Sequence, residues 1–380
     1  SSDLERSSPN RLALDCGLLI LCYNLYMTLF GNKPKSFLGI DIGTSSIKVV
    51  QLKKEGDKFK LETYGEISTV GYVERLNESF QSTSLKTIEA VTREMVGLTL
   101  NKAKINTKNA VMAVPIFSSF TSVIEMPIMT ESELTQAVEF EARKYIPIPS
   151  AEVELDWKII ENAKQGKRIL LIAVPKEVIN KYIRIADALN LKINALELES
   201  FSFARSLMSG DSSSACILDI GARTTSLTIV DKNMIQMSHG LDIAGAEMTR
   251  ILASSLGVAF KRAEDFKLIH GIDNPESKNG EEKKNIQLAL LTLIDEITNE
   301  SERMMSEYQS KTGRKIEKII LNGGSARMEG LKEYIEQKLK IKTLIADPWA
   351  KIVYPPELEK TLKEIGPQFS VAVGAAMREN

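Results

Sequence analysis

An aspartate that closes an apolar strand, followed two residues later by glycine and then by hydroxyl residues, is a device for holding phosphate. Residues 37–52, FLGIDIGTSSIKVVQL, carry Asp41, Gly43, Thr44, Ser45 and Ser46, then Lys48, before Val49, Val50 and Leu52 resume strand character. Two β-branched stretches around a small polar turn predict a hairpin. Glycine lets backbone approach a ligand closely. N–H groups and hydroxyls in such a turn can cradle phosphate oxygens, with a lysine as point charge. The acid would hold a metal ion through water, because Mg²⁺ keeps much of its hydration. Residues 216–230, CILDIGARTTSLTIV, repeat the device with Asp219, Gly221, Thr224, Thr225 and Ser226. A hairpin with a polar tip is common. Two of one build, far apart in sequence, suggest related halves facing one nucleotide from opposite sides.

The chain that must position these turns has 380 residues, which implies two domains or one large bilobal unit. Its composition is that of an ordinary α/β protein. A net charge of −1 gives no reason to expect nucleic acid binding. Three cysteines, an odd number without metal-like spacing, indicate a reducing compartment. The two histidines, His239 and His270, read as surface or packing residues.

Residues 1–26 differ from the rest. Residues 17–30 are mostly apolar but interrupted by Asn24 and Thr28, short of the roughly 20 residues that span a bilayer. A signal-like stretch and an interfacial helix are both open. The preferred expectation is an upstream extension, with Met27 as the natural start. Beyond the first turn, residues 58–67 predict a strand, 71–84 a loop, and 85–100 a helix with Leu85, Ile88, Val91, Met95 and Leu98 on one face. Strands follow at 110–114 and 117–126. Thr130 and Glu133 form a capping box that opens a helix, which Pro147 and Pro149 close. Strands at 152–160 and 168–174 precede helices from Pro175 to about 189 and over 197–208. After the second turn, helices are expected over 240–256, 259–269 and 286–308, with a solvated loop at 271–285 and a strand at 316–321. That strand runs into Asn322-Gly323-Gly324-Ser325, where glycines would let a flat ligand lie against backbone. A helix begins at Glu329. Residues 369–377, FSVAVGAAM, form a small-residue helix whose Gly374 suits a close contact between two lobes.

This order resembles the actin/Hsp70/sugar-kinase ATPase superfamily, and within it the branch of the cell-division protein FtsA and the type IV pilus assembly protein PilM. The resemblance to the PilM family covers about residue 27 to the end. It is carried by MTLFGNKPKSFLGIDIGTSSIKVVQL, EMPIMTESELTQAVEFEARKYIPIPSAEVELDW, LDIGARTTSLTIV and LNGGSARMEGL. It implies an α/β, actin-like ATPase fold with two lobes, each built on a ribonuclease-H-like mixed sheet. The expected division is a lobe 1 core of 27–114 with 194–212 and 366–380, an inserted module of 115–193, a lobe 2 core of 213–245 and 316–365, and an upper subdomain of 246–315.

The resemblance also implies roles. Gly43, Thr44, Ser45 and Lys48 match a first phosphate loop, and Gly221, Thr224 and Thr225 a second. Asp41 and Asp219 would hold Mg²⁺ through water. Gly245 and Glu247 would approach ribose, Glu264 and Lys267 ribose and adenine, and Gly323, Gly324 and Ser325 adenosine. The bound group would be ATP or ADP. The second loop departs from the superfamily's Gly-Gly by carrying Ala222 and Arg223, and no residue stands out to orient a water beyond Glu177, so slow or absent hydrolysis is expected. PilM proteins bind the cytoplasmic N-terminal peptide of the inner-membrane protein PilN beside the extra module, which suggests Phe117, Ile124, Met126, Phe140, Tyr145 and Ile146 as lining. The expected role is a cytoplasmic ATP-binding adaptor of the pilus platform, peripheral to the inner membrane through its partners. The alternatives are an FtsA-like filament protein, which normally ends in an amphipathic membrane helix, and a sugar kinase.

Overall fold

Apolar residues at the centre of the first hairpin have no exposed face, so this strand pair must lie inside a sheet covered on both sides. The computed structural model describes residues 36–69, 85–163, 166–272 and 281–379. The expectations for residues 1–26, for the apolar run, for the loop at 71–84 and for residues 273–280 fall outside these.

In chain order, β1 (Ser36–Ile42), β2 (Ser46–Glu55) and β3 (Lys58–Ser68) form an antiparallel meander. The helix α1 (Leu85–Lys102) returns the chain to β4 (Asn109–Val114), parallel to β1. A 3₁₀ turn at Ile116–Ser118 leads to β5 (Phe120–Met126), α2 (Glu131–Ala142), β6 (Val153–Ala163) and β7 (Gly166–Pro175). The helix α3 (Lys176–Ala188) then feeds β8 (Lys192–Leu198), parallel to β4, and α4 (Glu199–Met208) follows. The second half opens with β9 (Ala215–Ile220), β10 (Thr225–Asp231) and β11 (Met234–Leu241), again an antiparallel meander. Three helices, α5 (Gly245–Leu256), α6 (Phe260–His270) and α7 (Glu281–Thr312), precede β12 (Lys318–Asn322), parallel to β9. Then come α8 (Leu331–Leu339), β13 (Thr343–Ile345), β14 (Ile352–Val353) and α9 (Glu359–Ala376).

The two halves share one topology. The first sheet runs β14-β3-β2-β1-β4-β8 and the second β11-β10-β9-β12-β13. In each, a three-stranded meander pairs its first strand with a parallel strand, which pairs with another. The module's sheet, β5-β7-β6, is inserted between β4 and α3, and α2 supplies the other wall of its core. The counterpart in lobe 2 is the short crossover from β12 through α8 to β13.

Several elements differ from the sequence reading. Residues 192–198 and 234–241 are strands, β8 and β11. Residue 117 sits in the 3₁₀ turn rather than in a strand. The helix α7 starts at Glu281, so the loop expected to reach 285 is shorter. The expected lobe 2 range of 316–365 also ends too late. Ile352 and Val353 pair with Phe59 and Lys60 of lobe 1, and Trp349, Ile352 and Leu362 pack with Phe37, Val50 and Leu52.

The helices α4 and α9 cross in close contact, and α9 reaches the second sheet through Ser370 Oγ, which donates to Asn322 Oδ1. A methyl at Gly374 would overlap the Ser202 carbonyl oxygen, so only glycine admits this approach. The expected small-residue helix and its close approach at Gly374 are present, but the helix begins ten residues earlier than predicted and the neighbour is α4, which the expected division places in the same lobe. Beside the crossing, Glu197 is fully buried. Its two oxygens accept from Arg205 at 2.7 and 2.8 Å, from Ser202 at 2.6 Å and from Arg378. Burial would raise its pKa, but Arg205, Arg378 and the Ser202 hydroxyl outweigh that and hold it at about 2. Arg205 also donates to the Gly374 carbonyl at 2.7 Å. A buried carboxylate is tolerated here because it is paired and fully hydrogen-bonded.

Candidate nucleotide site between the lobes

Ligands on open α/β sheets bind beyond the carboxyl ends of the parallel strands. Here those ends carry Asp41 on β1, Glu199 just after β8, Asp219 on β9 and Asn322 on β12. Asp41 lies opposite Lys48 in the β1–β2 register, and Lys48 Nζ stands 3.7 Å from Asp41 Oδ2. The carbonyls of Thr44 and Ser45, which would repel a phosphate, accept from Thr69 Oγ1 at 2.9 Å and Thr69 N at 2.8 Å. The first turn is thereby tied to the end of β3.

The second turn is built alike. Gly221 N donates to Thr224 O at 3.1 Å, and Asp219 lies opposite Ser226 as Asp41 lies opposite Lys48. Asn322 Nδ2 donates to Asp219 Oδ1 at 2.9 Å, and Ser370 Oγ donates to Asn322 Oδ1 at 2.6 Å. Asp219 is therefore aimed by α9. The duplication is incomplete at one position: Ser226 replaces the lysine, and its buried hydroxyl has no hydrogen-bond partner. Thr225 is fully buried and donates to the Ile243 carbonyl at 2.6 Å. This corrects its expected role. It positions the turn and does not face a phosphate.

The acids of the two lobes sense one another. Asp41 is raised above the ordinary carboxylate range by burial, against the pull of Lys48. Burial, then the charge of Asp41, pushes Asp219 up to about 7. Glu199 is raised well above its usual value by burial and by Asp219 and Asp41. Its Oε1 accepts from Ile116 N at 3.2 Å. Burial, Asp41 and Glu199 also push the Tyr182 phenol up. Sequence reading missed Glu199 and Tyr182. Glu177, its candidate for orienting water, lies on the exposed first turn of α3. Like charges sharing a buried cleft are costly. A hydrated dication would relieve that cost, so the donor set fits Mg²⁺ held by Asp41 and Asp219. Among the described residues no three His, Cys, Asp or Glu side chains converge as a direct metal cage.

The adenosine-side residues also converge. Gly245 N donates to Gly221 O and Ala246 N to Ala222 O, both at 2.9 Å, which docks the α5 N-terminus on the second turn. A side chain at Gly245 would collide with Ser325 Oγ. Gly323 has φ +84°, and a Cβ there would stand 2.8 Å from Asp219 Oδ1. Gly324 faces open space and Glu247 is half-buried on the first turn of α5. Lys267 is placed differently from expectation. It is 1% exposed, and its Nζ donates to Gly245 O and Thr249 Oγ1 at 3.0 Å and to Glu264 Oε2 at 2.8 Å. With three donors used, it braces Gly245 rather than touching a base. Glu264, partly exposed, remains available to a ribose hydroxyl.

The apolar residues expected to line a peptide groove divide. Ile124 and Met126 are buried in the module core with Leu134, Val138 and Leu171, which corrects their assignment. Ile146 packs partly on that cluster. Phe117, Phe140 and Tyr145 are exposed at 41%, 66% and 46%, and Ile128, not foreseen, at 71%. Among the described residues no helix is long and apolar enough to cross a membrane.

The model of a family described as type IV pilus assembly protein PilM matches residues 39–380. A solved structure titled "PilM-PilN type IV pilus biogenesis complex" superposes with a TM-score of 0.76 at 23% identity, covering 91% of this chain and 99% of that one. The ethanolamine utilization protein EutJ from Carboxydothermus hydrogenoformans gives a TM-score of 0.51 at 15% identity, covering 92% and 91%. The cell division protein FtsA of Bacillus subtilis (strain 168) is 20% identical over 355 residues, 83% of this chain and 80% of FtsA. The FtsA of Staphylococcus epidermidis (strain RP62A) is 19% identical over 370 residues, 87% of this chain and 78% of that protein. The fold is actin-like.

Proposed function

This chain belongs to the type IV pilus assembly protein PilM family, and on that premise we propose that it is a cytoplasmic adaptor of the inner-membrane pilus platform, binding an adenine nucleotide between its lobes and the N-terminal peptide of PilN on its module. The observation that carries the nucleotide half is the meeting of Asp41, Glu199 and Asp219, from both lobes, at the carboxyl ends of the parallel strands. The PilN half is supported by the structure of the PilM–PilN complex and by exposed Phe117, Phe140, Tyr145 and Ile128.

In this reading the turn at Gly43, Thr44 and Ser45, with Lys48, holds one side of the phosphates, and the turn at Gly221 and Thr224 the other. Asp41 and Asp219 would hold Mg²⁺, which would supply positive charge to balance the phosphates and the clustered acids. Gly323, Gly324, Ser325 and the Gly245 backbone make the adenosine face, with Glu264 and Glu247 toward the ribose. Glu199 Oε1 accepts the Ile116 N–H, so that oxygen is engaged in holding the turn rather than in orienting a water. No other side chain of the cleft is assigned that task, and turnover in this reading is slow.

Calorimetry tests both halves. Wild type binds Mg-ATP and a synthetic PilN N-terminal peptide, and the double variant Asp41→Ala, Asp219→Ala loses Mg-ATP. Unimpaired Mg-ATP binding by the double variant would refute the nucleotide site. A wild type indifferent to the peptide would refute the adaptor role.

A further inference from the structure

The residue that breaks the glycine pair of the second turn does not sit idle. Arg223 is exposed, and its guanidinium carbon lies 5.2 Å from the centre of the Phe117 ring, over its face. Phe117 is the middle residue of the 3₁₀ turn at Ile116–Ser118, through which the chain leaves lobe 1 and enters the module. The same turn is held from its other side by Glu199, whose carboxylate accepts the Ile116 N–H. One residue beyond the turn's C-cap, β5 begins, and its Thr121 Oγ1 donates to the Ser238 carbonyl of β11 at 2.9 Å. The entrance of the module thus touches a group from each side of the phosphate cleft, and also the edge of lobe 2.

Arg223 lies two residues beyond Gly221, within the turn that faces the phosphates. An arginine there has two attractive partners. The ring gives a cation–π contact that is modest where solvent-exposed. A phosphate gives charge-assisted, bidentate hydrogen bonds that are stronger. The two cannot both be satisfied by one planar guanidinium lying on a ring face.

We propose that Arg223 and the Ile116–Ser118 turn couple the two sites: without nucleotide, Arg223 caps Phe117; with nucleotide, Arg223 turns to the terminal phosphate and uncovers the ring for an apolar side chain of the partner peptide. This rests on the adaptor reading above and names its regulation. It gives the Ala-Arg departure a purpose, since a glycine pair has no side chain to exchange.

The coupling is reciprocal by thermodynamic necessity. Releasing a cation–π contact sets its size at between about two-fold and about thirty-fold in affinity. The test is calorimetric titration of the PilN N-terminal peptide, with and without Mg-ATP, into wild type, Arg223→Ala and Phe117→Leu. In wild type the peptide binds more tightly with Mg-ATP present, and Mg-ATP binds more tightly with peptide present, by the same factor. In Arg223→Ala the factor falls to one, and the nucleotide-free affinity rises to the wild-type Mg-ATP value. Phe117→Leu keeps apolar bulk but offers no ring face, so it also shows no coupling. If both ligands bind wild type independently, the coupling is wrong and the adaptor reading stands. If Arg223→Ala keeps the wild-type factor, Arg223 is not the link. Failure of either ligand to bind wild type removes the adaptor reading and the coupling with it.

Discussion

Replacing Asp219 with asparagine should make the ligand-free protein more stable while removing its response to Mg-ATP. An aspartate in an unfolded chain loses its proton near pH 4. In the fold Asp219 keeps it up to about 7, because burial and Asp41 disfavour the anion. Between those values the folded state binds more protons than the unfolded state. Stability therefore falls as pH rises through this window and is level above it. Each tenfold change in proton affinity is about 1.4 kcal/mol, so the penalty reaches up to about 4 kcal/mol at pH 8. Asparagine keeps the oxygen that accepts from Asn322 at 2.9 Å and carries no charge. The expected gain is about 2–4 kcal/mol at pH 8 and well under about 1 kcal/mol at pH 4. For a chain of this size that is roughly 1–2 °C of melting temperature per kcal/mol. Thermal melts of wild type and Asp219→Asn across pH 4–8, with and without Mg-ATP, read both effects. An equal or lower apo melting temperature for the variant at pH 8 would refute the reasoning, as would a gain that does not shrink toward pH 4.

Other substitutions probe the frame and the surface. Gly374→Ala forces apart α4 and α9 at the Ser202 carbonyl, and overpacking of this kind costs about 1–3 kcal/mol or more, read as a lower denaturation midpoint. Glu197→Gln leaves Arg205 and Arg378 facing a neutral amide in a buried site; breaking such a pair costs about 3–5 kcal/mol by urea titration. Because Glu197 is held at about 2, wild type keeps this contribution above the ordinary carboxylate range and loses it only as pH falls toward 2. On the module, Phe140→Ser should leave stability within about 0.5 kcal/mol and weaken PilN peptide binding, whereas Ile124→Ala should cost about 2–5 kcal/mol of stability. Equal stability losses in these two would contradict the division between surface and core.

The duplicated turns were legible because each packs its chemistry into a dozen contiguous residues, with strand character on both sides. The adenosine turn was legible for the same reason. What the sequence hid depends on distant partners. Glu197 reads as the first residue of a helix over 197–208, whereas it lies in strand β8. It is buried because Arg205 and Arg378 neutralise it, and Arg378 is 181 positions away. Losing that strand also lost Glu199, whose role comes from β8 lying beside β4. Lys267 reads as a ligand contact in one dimension; only the docking of α6 against Gly245 shows that its donors are spent. Ile124 and Met126 were separable in principle. Strand periodicity puts both on one face, and that face meets α2. Arg223 was visible as a departure from pattern, but its ring partner lies more than a hundred residues earlier in the chain.

Hydrogen exchange with and without Mg-ATP would show directly whether one nucleotide engages both lobes. Slowed exchange is expected together in three stretches: residues 41–48, 219–225 and 323–328. Protection confined to one lobe, or absent from all three, would contradict a nucleotide held between them.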